Sequence, residues 1–304
     1  MHGMKHEHVP VRAVLLICAA TACFATLDAV IKALSARYPV PLLVWARWAI
    51  QALAIVAWLA PKSGARFLRT RLVRRHLLRG GVLIVSSVMF VYALADLPLA
   101  NVTALSYAAP MMVVVLSVVL LDERVTPARI AFVVAGAIGM ILVVRPGSEM
   151  FRGASLLALA SAGCFALFQV LTRKMAEEDP GALLFYPAAV GALALAIPLA
   201  FTLESIAMPW ADVMTLVSGG MAGTFGHFML VLAFRRAPAS ALTPFTYMHL
   251  VWATMLGWAV FGTFPDGYAL AGIAIIAGSG LLITLHERRR ASAARPSRER
   301  RNDR

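Results

Sequence analysis

Long apolar runs, separated by short polar or basic segments, dominate the chain. Reading each run between charge and turn signals predicts ten helices, over 12–33, 40–60, 79–97, 100–121, 127–145, 153–173, 180–203, 211–233, 239–262 and 267–286. The third and fourth runs are joined only by Leu97-Pro98-Leu99, and the eighth and ninth meet around Pro238. Links this short force antiparallel neighbours. The pattern is that of an all-α membrane protein.

Composition agrees with the pattern. The 304 residues are 61% apolar and only 14% charged, with a mean hydropathy of +0.79. A soluble domain is closer to half apolar and a quarter charged. Ten spans use about 200 residues, which leaves no room for a sizeable soluble domain. Cys18, Cys23 and Cys164 all lie in apolar runs, so neither a disulfide framework nor a zinc site is expected. His2, His6 and His8 in the N-terminal tail are read as solvated rather than metal-binding.

The net charge of +13 does not indicate nucleic acid. With the N-terminus inside, 23 of the 28 Lys and Arg fall in cytoplasmic segments and four outside, with Arg47 inside a helix. That bias predicts cytoplasmic termini. The Arg-rich 62–79 connection and a basic cytoplasmic tail, 287–304, are expected to touch anionic membrane lipid.

The two halves repeat. Cys-Phe-Ala occurs at 23–25 and again at 164–166, an offset of 141; Lys32 matches Arg173 and Pro39 matches Pro180 in the same frame. At an offset of 140, Pro98 matches Pro238 and Tyr107 matches Tyr247. Each repeat holds five helices. Five is odd, so the second copy is inverted in the membrane, a design of many secondary transporters with the substrate site near midplane.

The run PLANVTALSYAAPMMVVVLSVVLLDERVTPARIAFVVAGAIGMILVVRPG, set in two five-helix repeats, resembles the EamA branch of the drug/metabolite transporter superfamily. The resemblance covers about 12–286, with one repeat at 12–146 and the other at 153–286. It implies ten helices as two inverted five-helix EamA-type repeats, a bacterial inner-membrane location, cytoplasmic termini and no ATPase. Relatives of this kind move amino acids and their derivatives, riboflavin, S-adenosylmethionine, metallophores and lipophilic compounds. One position departs from the repeat: Glu123 corresponds to Thr263, where a second Glu is expected.

Ionisable groups inside membrane helices are costly and mark candidate sites. Asp28 and Arg47 fall about 10 Å below the outer boundary of neighbouring helices. Either they form an ion pair that fixes the hairpin, with Lys32 also at i,i+4 from Asp28, or they offer both counter-charges to a zwitterion. Their repeat mates are Gln169 and Ala188. His227 and His249 match Ser87 and Ala109. Asp28, His227 and His249 are therefore proton-coupling candidates, each histidine otherwise a hydrogen-bonded core residue. Tyr107 and Tyr247 are placed to line one cavity from both repeats, or else to pack. Pro110 and Pro244 are expected to bend their helices. The substrate-binding set is thus Asp28, Arg47, Tyr107, Gln169, Tyr247 and His249.

Neither a GxxxxGK[ST] loop nor HExxH occurs, so no cofactor, metal or enzymatic activity is expected. The expectation is a secondary transporter working by alternating access. The favoured cargo is a small zwitterionic, amino-acid-derived metabolite moved outward, with metallophores of the opine or nicotianamine type included. Uptake of riboflavin, S-adenosylmethionine or a similar nutrient is the alternative, and a non-transporting membrane scaffold a remote third. The small-residue stripe Ala131, Ala135, Gly139 and the pair Gly219-Gly223 serve packing within the fold, or a homodimer.

Overall fold

The computed structural model describes residues 10–64, 66–121, 126–145, 153–175, 177–200, 207–237, 242 and 245–302, without side chains beyond His286. Among these residues the regular structure is helical, a short 3₁₀ turn at Arg66–Leu68 included. The α-helices are α1 (Val11–Ser35), α2 (Val40–Ser63), α3 (Val73–Asp96), α4 (Leu99–Ser106), α5 (Ala108–Leu121) and α6 (Pro127–Val144) in the first half. The second half contributes α7 (Gly153–Arg173), α8 (Pro180–Ala200), α9 (Trp210–Phe234), α10 (Met248–Phe261) and α11 (Gly267–Asn302). Among the described residues, nine spans are long and apolar enough to cross a membrane, with α4 and α5 forming one of them, and α10 is a shorter apolar helix. The protein is a multi-pass membrane protein of ten helical spans in two repeats.

Proline sets many of the helix starts. Pro10, Pro39, Pro98 and Pro209 stand at N-caps, and Pro127 occupies the first turn of α6 behind Thr126, whose hydroxyl accepts from the Arg129 amide. Proline's fixed φ suits an entry, and its missing N–H costs nothing there. The helices keep large side chains such as Leu53, Val119, Leu193 and Leu282 about 70% exposed, which water would penalise and lipid does not.

Two boundaries differ from the sequence reading. Helix α3 begins at Val73, so Arg74, Arg75, His76 and Arg79 belong to its first two turns rather than to a connection. Helix α11 continues through the expected basic tail to Asn302. The expected helix 239–262 is described as helix over Met248–Phe261.

The packing follows the inverted repeat. Helix α1 lies along α9, and its repeat mate α7 lies along α3; α2 crosses α8 and α6 crosses α11, each a pairing of mates. So the third helix of each repeat is held by the first two of the other. Glycine permits the closest approach. A Cβ on Gly219 would meet Val30 at 2.7 Å, on Gly223 Leu27 at 2.7 Å and on Gly226 Phe24 at 2.8 Å. The Gly219-Gly223 pair therefore serves packing of α9 on α1 within the fold.

Alternate helix directions define two faces. The tail face carries the start of α1, and the far face carries its end. At the far face the α1–α2 turn grips the first turn of α9: Arg37 pairs with Asp212 at 2.9 Å, and the Tyr38 hydroxyl donates to the same carboxylate at 2.6 Å. That bond, with burial and the carboxylate charge, holds the Tyr38 phenol above its ordinary pKa. At the tail face the α7–α8 turn grips the first turn of α3 in the same way. His76 Nε2 is 3.0 Å from Glu178, and Thr70 donates to the same oxygen at 2.5 Å. These bonds hold the Glu178 carboxyl below the usual range. Arg37 and Glu178 are repeat mates at an offset of 141. The acid and base have exchanged sides between the two mouths.

Candidate functional site

Two helix breaks, one from each repeat, meet at Tyr107 and Tyr247. Pro110 offers no amide to the Ser106 carbonyl four residues before it, so the fourth span breaks at Tyr107. Tyr247 stands at the matching break, at the N-cap of α10. Pro244, expected to bend the ninth span, lies outside the described residues. The two tyrosine rings stack with centroids 4.8 Å apart and planes at 23°. The Tyr107 hydroxyl donates to the Thr246 carbonyl at 2.6 Å, linking the repeats again. Gly280 of α11 leaves the space that the Tyr247 hydroxyl fills, since a Cβ there would fall 1.5 Å from it.

Half a turn beyond Tyr247, His249 projects toward α1. Its Nε2 lies 3.4 Å from the Asp28 carboxylate, an ion-pair distance, and has no hydrogen-bond partner. Asp28 is 7% exposed, so this charge is buried with little compensation. Asp28 does not pair with Arg47 or Lys32, as the sequence spacing had suggested; its partner comes from the other repeat. Arg47 lies within electrostatic reach of Asp28, with its guanidinium 5.5 Å from the Trp48 ring and its Nε unpartnered. Trp48 Nε1 and Trp252 Nε1 are also buried without acceptors. Beside the Asp28 carboxylate, Arg47 Nε and His249 Nε2 are thus buried without a hydrogen-bond partner. Unpaired buried donors are costly and mark a place where a ligand or water completes the bonding.

The remaining candidates are more scattered. His227 packs edge-on against Phe24 at 4.9 Å in the α1–α9 seam, within reach of the Arg47 charge but joined to neither Asp28 nor His249. Gln169 is half-buried in α7, and no hydrogen bond or ion pair brings it to Asp28, Arg47 or His249. Two basic residues have structural partners that spacing did not suggest. Lys32 donates to the Leu94 and Leu97 carbonyls at 2.7 Å each. Arg79 is 1% exposed and donates to Thr172 at 3.0 Å and to the Leu183 carbonyl at 2.6 Å. In the sequence, Arg79 ends the Arg-rich 62–79 connection expected to touch anionic lipid; the structure sets it six residues inside α3 and buries it. Among the described residues there is no group of His, Cys, Asp and Glu able to hold a metal ion.

A solved structure covering 91% of this chain, and 98% of its own, superposes with a TM-score of 0.66 at 22% identity, which shows a shared fold. The S-adenosylmethionine uptake transporter of Rickettsia prowazekii is 28% identical over 236 residues, 77% of this chain and 79% of the relative. The riboflavin transporter of Brucella anthropi is 28% identical over 273 residues, 87% and 95%. That of Vibrio cholerae is 27% identical over 300 residues, 96% and 99%. The EamA-like transporter family matches twice, at residues 11–145 and 152–285, one match to each inverted repeat, and the chain belongs to that family.

Proposed function

We propose that this chain is a secondary carrier of the bacterial inner membrane that takes up a metabolite joining a planar ring to a charged chain. S-adenosylmethionine is the first candidate. The observation that carries the reading is the Asp28–His249 contact between the repeats, with Arg47, its Nε without a hydrogen-bond partner, nearby. Asp28 supplies the counter-charge for a sulfonium or ammonium, Arg47 for a carboxylate, and Tyr107 and Tyr247 an aromatic wall for the ring. Asp28 and His249 also form a proton-accepting pair for coupling. His227 and Gln169 stand further out in this scheme, in the seams around the site.

The Rickettsia prowazekii relative, an S-adenosylmethionine uptake transporter, favours this uptake reading over the outward movement of a zwitterionic metabolite expected from sequence. Riboflavin is the second reading, favoured by the near-complete alignment with the Vibrio cholerae relative. It is neutral and makes less use of the two charges. Cytoplasmic termini follow from the charge bias, and a homodimer or a bound lipid is left to the lipid-facing helices.

Purified protein in liposomes tests the reading directly. Labelled S-adenosylmethionine should enter on an imposed proton gradient, and unlabelled riboflavin should compete weakly. Riboflavin entry without S-adenosylmethionine entry would select the second reading. Entry of neither, with efflux of a preloaded zwitterion, would restore export.

A further inference from the structure

Lys32 of α1 reaches across to the turn between α3 and α4. Its ammonium donates to the carbonyls of Leu94 and Leu97, both at 2.7 Å, and lies 5.6 Å from the Phe261 ring of α10. Neither carbonyl has a helical partner. Leu94 would bond to the amide four residues on, but that residue is Pro98, which has no N–H. Leu97 precedes the N-cap of α4, and the first amides of that helix bond to the Pro98 carbonyl instead. So two orphan acceptors, one of them made by a proline, stand together at a helix C-terminus, where a cation is favoured. Lys32 satisfies both.

The bond joins separate packing units. Helix α1 lies along α9, whereas α3 lies along α7, and α1 and α3 touch only lightly. Lys32 therefore ties the two units together at the far face, three residues N-terminal to the end of α1. We propose that Lys32 is the latch of the far-face gate, closed in this structure and broken when that mouth opens. This rests on the carrier reading.

The repeat supplies a mate. Lys32 maps onto Arg173 at an offset of 141; Leu94, Leu97 and Pro98 map onto Phe234, Ala237 and Pro238 at 140. Pro238 by its covalent structure likewise gives no N–H to the Phe234 carbonyl. The proposal extends to Arg173 as the latch of the tail-face gate, on the Phe234 and Ala237 carbonyls. Alternating access then exchanges one cation-to-carbonyl latch for the other.

The test reads gate opening without transport. The full chain, with Cys18, Cys23 and Cys164 changed to Ser, carries Asn101→Cys as a reporter. Asn101 lies buried one turn inside Pro98, with its Oδ1 unpartnered. An impermeant maleimide is applied to right-side-out and to inside-out vesicles. Lys32→Met, which loses both bonds, should raise labelling from the far face at least about tenfold, the factor that a single lost charge-assisted hydrogen bond corresponds to. Lys32→Arg should keep the parent rate. Pro98→Ala supplies the missing amide to Leu94 and should give an intermediate rise. Unchanged labelling in Lys32→Met, or an equal rise from both faces, overturns the proposal. Should Lys32→Met fail to accumulate, an unchanged rate in Pro98→Ala overturns it equally. Liposomes that take up no substrate would instead overturn the carrier reading, while the labelling result would stand.

Discussion

Tyr107 and Tyr247, 140 positions apart in the chain, stack face to face at 4.8 Å, each at a break in its own membrane span. The stack marks the place where the two repeats meet. Helix breaks there free backbone groups that hydrocarbon would not tolerate, so the surroundings must be protein or a wet cavity. Tyr107 closes part of this account by donating to Thr246 across the repeat boundary.

Removing that stack should therefore hurt transport more than folding. Tyr107→Ala and Tyr247→Ala are each expected to lower uptake about fivefold, chiefly through KM, because an aromatic contact is worth about 1 kcal/mol beyond the area it buries. Tyr107→Phe loses only the hydroxyl bond and should lie between parent and Ala. Initial-rate uptake at several substrate concentrations separates KM from maximal rate.

Asp28 and His249 make a sharper prediction. Asp28→Asn leaves a similar shape without the charge. Uptake should lose its response to an imposed proton gradient, while counterflow of labelled against unlabelled substrate persists at reduced rate. His249→Gln should act in the same direction. A full gradient response in Asp28→Asn would remove that residue from the coupling path.

Overpacking the α1–α9 seam should destabilise the fold without touching the polar site. A Cβ at Gly223 already meets Leu27 at 2.7 Å, so Gly223→Leu forces the helices apart. The cost is about 1–3 kcal/mol. Gly219→Val should behave alike against Val30, whereas Gly81, with nothing within 4 Å of its Cβ, should accept Ala with little change. Thermal unfolding in detergent, followed by tryptophan fluorescence, would rank the three.

Acid should loosen the tail-face pin. Glu178 is held below its ordinary value of 4.5, first by the Thr70 hydroxyl and then by His76. A carboxyl depressed in the folded state adds stability above its unfolded pKa and loses it as pH falls through the folded one. The melting temperature should therefore drop as pH is lowered below about 4.5. Glu178→Gln should be less stable at pH 7 and show a shallower acid slope. Asp266 is also depressed, first by its bond from Arg145, and Asp266→Asn should remove a second part of that slope.

The architecture was readable because membrane helices announce themselves by apolar length, and a duplication repeats its prolines and tyrosines at a constant offset. Pro98 and Tyr107 carried the repeat and proved central in three dimensions. The site was half readable. Asp28 and His249 stood out as intramembrane charges, but spacing within helices suggested Arg47 or Lys32 as the partner of Asp28. The true partner is 221 positions away, and no local rule reaches that far. Lys32 and Arg79 were misread for a common reason. Both are cations whose acceptors are backbone carbonyls or hydroxyls, and a carbonyl orphaned by a distant helix end leaves no trace in side-chain patterning. The direction of transport has no local signature either, since one inverted pair of repeats serves both directions.

The pins at the two mouths carry a last consequence. A guanidinium, as at Arg37, is a rigid planar fork that meets the Asp212 carboxylate at 2.9 Å. An imidazole, as at His76, offers Glu178 one ring nitrogen at 3.0 Å and shares that carboxylate oxygen with the Thr70 hydroxyl. Duplication copied the chain path and mutation then swapped the partners. The result is a molecule whose ends are alike in topology and unlike in chemistry, so that the two mouths need not open with equal ease.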